Sequence, residues 1–86
     1  MTAAVKVTSI VDWTVQAPKG AKFTQHTAYV NGFVLRVREW HGSDRNHWTV
    51  ALPAGDVVIT VARGVSVEIH GAMMAAVRCA ENGGKK

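Results

Sequence analysis

The dipeptide Asn31-Gly32, set between Tyr29-Val30 and Phe33-Val34-Leu35, constrains this chain more than any other feature. Asparagine then glycine between two β-prone runs predicts a type I′ hairpin, because both turn positions need a positive φ. The turn fixes register, and register sorts each nearby side chain onto one face of the sheet. A two-residue loop sets Val30 opposite Phe33, Ala28 opposite Leu35 and His26 opposite Val37, which we assign to a core face. The other face then receives Tyr29 with Val34, Thr27 with Arg36, Gln25 with Arg38, and Phe23 with Trp40.

The rest of the chain can be read outward from this hairpin. Upstream, Val5, Val7, Ser9, Val11, Trp13 and Val15 share one parity, and Lys6, Thr8, Asp12, Thr14 and Gln16 share the other, broken by Ile10. Period two over this length predicts a half-buried strand. Ala17-Pro18-Lys19-Gly20 reads as a turn, and residues 41–46 as a polar loop. From His47 to Pro53, Trp48, Val50 and Leu52 hold the core parity. After a turn at Pro53-Ala54-Gly55-Asp56, Val57, Ile59 and Val61 complete that face, leaving Val58, Thr60 and Ala62 outward.

A helix closes the chain. Ser66 is its expected N-cap and Glu68 suits the first turn. Ile69, Ala72, Met73, Ala76, Val77 and Ala80 recur at three- and four-residue spacing as one apolar stripe. Cys79 flanks the stripe, Gly71, Met74, Arg78 and Asn82 point away from it, and Gly83 is the natural C′ residue. A sheet needs one face covered, and this stripe is the available cover. The expected fold is therefore α+β: an antiparallel β-meander of four or five strands with one C-terminal α-helix packed on one face. A single domain spans 1–82, with a flexible basic tail at 83–86.

The length of 86 residues leaves room for one core. Lys6 interrupts the N-terminus before a hydrophobic run forms, and no apolar stretch approaches the roughly 20 residues of a membrane helix. With a single cysteine, the expected location is the cytoplasm. The formal charge of +4 falls to +2 without Lys85 and Lys86, a modest excess for a nucleic-acid binder.

Candidate chemistry is sparse. Asp12, Glu39, Asp44, Asp56, Glu68 and Glu81 have no paired spacing for acid–base work, and Ser9, Ser43 and Ser66 lack a nucleophile elbow. His41, Asp44 and His47 share one loop region, but a structural zinc site wants four ligands and no cysteine is near. No catalytic residue, metal or cofactor is expected, and the chain reads as a non-enzyme.

The outer face of the hairpin carries the one constellation above background: Arg36 and Arg38 interleaved with Tyr29, Val34 and Trp40. Arginine grips phosphate in a forked geometry and aromatic faces stack on bases. Tyrosine, tryptophan and arginine are equally the residues of protein–protein hot spots. Val34 and Val58 make the patch half apolar, which tilts the expectation towards a protein partner. Nucleic acid is the alternative, and self-association through the same face, as a homodimer or structural component, the third.

The stretch from Tyr29 to Val37, then Trp48-Thr49-Val50, then the alanine-rich helix from Ser66, resembles small proteins of actinobacterial and other phages. The resemblance covers about two-thirds of the chain. It implies a phage-type accessory protein that binds a host or phage macromolecule through the open sheet, as host-takeover or anti-defence inhibitors do. The layout is also similar to AP2-type and integrase arm-binding domains, which lay a three-stranded sheet in the DNA major groove. Those sheets present arginine and tryptophan from successive strands, whereas the strand 57–62 offers Val58, Thr60 and Ala62.

Overall fold

A computed structural model describes residues 11–85. The alternation at Val5, Val7 and Ser9 lies outside the described residues. Five strands, β1 (Thr14–Gln16), β2 (Phe23–Val30), β3 (Phe33–Trp40), β4 (Asn46–Ala54) and β5 (Val57–Ser66), precede one helix, α1 (Ile69–Glu81). The sheet is a single antiparallel meander in the order β1-β2-β3-β4-β5. The fold is the expected α+β class.

Asn31 and Gly32 adopt φ of 53° and 83°, so the turn takes the left-handed backbone that the Asn-Gly pair accommodates. Every expected β2–β3 pair is present, from Val30 with Phe33 to Phe23 with Trp40. The turn is also tied down. The Asn31 amide donates to the carbonyl oxygen of Ala80 at 3.0 Å, occupying one of the acceptors that a helix end leaves without an intrahelical partner. Gly83 donates to Ala80 and Gly84 to Cys79, at 3.1 and 2.8 Å, which is a Schellman closure with Gly83 at C′. Gly84, assigned from sequence to the flexible tail, belongs to that closure.

The core lies between sheet and helix. Ala28, Leu35, Val37, Trp48 and Val50 meet Ala72, Ala76, Cys79 and Ala80, with Val11 and Trp13 packed at the margin. The Trp48 ring occupies the space beside Gly64, where a Cβ would stand 2.6 Å from its indole carbons. Gly64 is therefore a packing position inside β5 and not a loop break.

Two expectations for the last third are corrected. The strand β5 runs through Ser66, so Ser66 is not the N-cap; Glu68 is, in extended backbone, and Ser66 Oγ accepts from the Glu68 N–H at 3.3 Å. The second correction concerns side-chain parity. Val50 pairs with Ala62 and Ala51 with Thr60, so Val61 is a β-bulge that reverses the alternation. Ala62, expected outward, packs on the core, while Val61, expected inside, is 41% exposed. Val57 and Ile59 keep register positions on the helix side, opposite Ala54 and Leu52, yet both remain exposed.

Candidate functional site

The helix covers one face of the sheet and leaves the other open. Register places two transverse rows on the open face, each crossing all five strands. One is Thr14, Thr27, Arg36, Thr49 and Arg63; the other is Gln16, Gln25, Arg38, His47 and Val65. Nine of these ten side chains carry hydrogen-bonding groups, Val65 being the exception. Aromatic residues flank the rows: Phe23 and Trp40 at one end, Tyr29 at the other.

The arginines are ordered by neighbours. Arg38 donates from Nε to Gln25 Oε1 at 3.0 Å, and its guanidinium lies 4.7 Å from the centre of the Phe23 ring. Phe23 in turn meets Trp40, with ring centres 4.9 Å apart and planes tilted by 56°. This chain of contacts holds one arginine beside two aromatics in a defined pose, a cation–π arrangement that leaves the remaining guanidinium N–H donors for a ligand. Arg36 stands two residues along the same strand, roughly 7 Å away along the backbone, and on the same face. Arg36, Arg38, Trp40, His47, Thr49 and Thr60 line a surface concavity of about 430 Å³.

No carboxylate occupies either row. Glu39 sits on the opposite face of β3, where its Oε1 is 3.5 Å from His26 Nε2. Asp12 precedes β1, Asp44 and Asp56 lie in connections, and Glu68 and Glu81 stand at the two ends of α1. The charge within these two rows is thus of one sign, a field that attracts anions and raises their encounter rate.

The residues singled out from sequence fall unequally. Arg36 and Arg38 are exposed and Trp40 half-buried beside the concavity, and Tyr29 is 75% exposed. Val34 is different. On central strand β3 it is flanked by Tyr29 and Ala51 in register and by Arg36 along the strand, and only 6% of it is exposed. On β4 and β5 three residues join the face that sequence reasoning did not place there, His47, Arg63 and Val65. The signal for Arg63 was present: Val61, Arg63, Val65 and Val67 alternate with the small residues Ala62, Gly64 and Ser66, of which Gly64 lies against the Trp48 ring.

The loop histidines part company. The His41 ring nitrogen Nε2 lies 2.9 Å from Thr24 Oγ1, while His47 faces the arginine concavity. Cys79 is buried in the helix–sheet core. Among the described residues no helix is long and apolar enough to cross a membrane. No protein-family model, curated protein or solved structure matches the chain.

Proposed function

We propose that this chain is a non-enzymatic binding module whose open sheet face takes nucleic acid, single strands in preference to duplex. The observation that carries the reading is the pair of transverse rows, with Arg36, Arg38 and Arg63 among neutral hydrogen-bonding side chains and no carboxylate between them. Arginines grip phosphate oxygens, and threonine and glutamine contact backbone or base edges. Tyr29 and Trp40, at opposite ends of the arginine pair, offer ring faces for unpaired bases, which is the recognition mode of flat single-strand platforms. In an accessory role of the phage type, this directs the protein to a nucleic acid rather than to a host protein.

The apolar share of the patch favoured a protein partner. That support weakens with Val34 covered and Ala51 buried beside it. What remains open on β2 and β3 is polar, cationic and aromatic, and the exposed valines of this face, Val58 and Val65, stand on β5.

The test is binding of a labelled single strand and of a duplex across a salt series. Three arginine–phosphate contacts predict a log–log salt slope of roughly −2 on a single strand. The Arg36→Ala/Arg38→Ala double variant should bring the slope close to −0.7. Absence of binding at low salt, or binding indifferent to salt, would sink the reading and return the face to a protein partner.

A further inference from the structure

Of the ten large apolar side chains exposed among the described residues, six lie within residues 57–67: Val57, Val58, Ile59, Val61, Val65 and Val67. Five of them belong to β5 and the sixth follows it directly. The strand β5 is the edge of the sheet and pairs only with β4, so the main-chain groups along its other side lack ladder partners among the described residues. Natural edges are usually blunted by lysine, proline or shortness. This one is ten residues long and holds a single charged residue, Arg63, whereas the opposite edge, β1, has three residues.

We propose that β5 is a homodimerisation edge: two copies of this chain join β5 to β5 in antiparallel register about a two-fold axis normal to the sheet. The strand is self-complementary in that arrangement. Laying Val57–Ser66 against itself sets Val57 opposite Ser66, Val58 opposite Val65, Ile59 opposite Gly64 and Thr60 opposite Arg63 of the second copy. The bulge at Val61 is what makes this register work. It reverses parity midway, so open-face side chains meet open-face side chains along both arms, and helix-side meets helix-side. A shift of one residue sets outward side chains against helix-side ones.

The contacts then match in chemistry. On the open face an exposed valine meets an exposed valine twice, Val58 with Val65 and its symmetry mate. On the helix side Ile59 comes to lie beside Gly64 of the second copy. There the absent side chain borders a concavity of about 580 Å³ whose floor is Trp48, Ala75 and Cys79 and whose remaining lining includes Arg78, Asn82 and Lys85. Arg63 faces Thr60, so no like charges stand opposite one another. A two-fold contact of this kind closes on itself and uses the same patch from both copies. The helices fall on one side and both arginine faces on the other, forming one ten-stranded sheet from two of five. The inference does not depend on the nucleic-acid reading.

Sedimentation velocity of the full chain at rising concentration tests it. The mass should climb from that of one 9.3 kDa chain towards twice that value. Ile59→Lys alters an already exposed side chain in both copies and should weaken association by about tenfold or more, with the circular dichroism unchanged. Val65→Lys should do the same from the other face. Tyr29→Lys, an exposed aromatic remote from β5, should leave association as in the wild type. A chain that stays monomeric up to roughly millimolar concentration overturns the proposal. So does an Ile59→Lys variant that associates like wild type, or a Tyr29→Lys variant that weakens it equally.

Discussion

The two hairpins of this sheet that turn on two residues, β2–β3 and β4–β5, are built from similar residues and behave differently. The β2–β3 hairpin turns on Asn31-Gly32, runs in unbroken register over eight pairs and has its turn bonded to the end of the helix. The β4–β5 hairpin turns at Gly55-Asp56, slips register between Val50 and Ala51, and carries its apolar tip exposed. Leu35 in the first is fully buried; Leu52 in the second is 43% exposed. Alternating hydrophobicity therefore states which side chains share a face. It does not state whether anything covers that face.

The largest effect that separates the hairpins is a pair of identical truncations. Leu35→Ala should cost about 3–4 kcal/mol in urea unfolding, from lost burial plus a cavity. Leu52→Ala should cost less than about 1 kcal/mol, because little of its surface is removed from water. Comparable losses at the two positions would mean that the β4–β5 tip is covered after all.

Next comes the bulge arm. Gly64→Ala drives a methyl group towards the Trp48 ring and should destabilise by about 2 kcal/mol, read from the denaturation midpoint. A near-wild-type midpoint would show that the indole moves aside freely. At the first hairpin, Asn31→Ala loses both the left-handed preference and the bond to Ala80, a cost of about 1–2 kcal/mol. Asn31→Gly restores the turn geometry but not the bond, so it should recover part of that loss. Full recovery would leave the tie to the helix without energetic weight.

The smallest change is Tyr29→Ala, which removes a side chain that is mostly in solvent. Stability should stay within about 0.5 kcal/mol. Affinity for a single strand should fall by the value of one stacked base, about 1–3 kcal/mol. Loss of stability without loss of affinity would assign Tyr29 to the fold.

The same contrast explains what could be read from the sequence. The β2–β3 register followed from two residues whose backbone requirements are local, and with it came Tyr29, Arg36, Arg38 and Trp40 on one face. The helix stripe and its Gly83 stop were equally local. The bulge at Val61 was not, since neither glycine nor proline marks it and it answers to the packing of Ala62 against the core. A glycine in a strand has two meanings, a bend or a close approach, and the Trp48 ring that decides between them at Gly64 is sixteen residues away. Missing the extension of β5 hid Arg63. The burial of Val34 was hidden for another reason: it depends on the neighbours that flank it on adjacent strands, not on its own parity.

Whether ligand meets the open face is something the three tryptophans report on separately. Trp40 stands beside the arginine concavity, Trp48 is buried under the helix, and Trp13 packs at the margin of the core. Their indole N–H resonances, followed by NMR while a short single strand is added, sample three places in one experiment. The Trp40 resonance should shift with saturation while those of Trp13 and Trp48 stay in place. Movement of Trp13 or Trp48 with Trp40 unmoved would contradict binding at the open face, and so would three stationary signals at low salt.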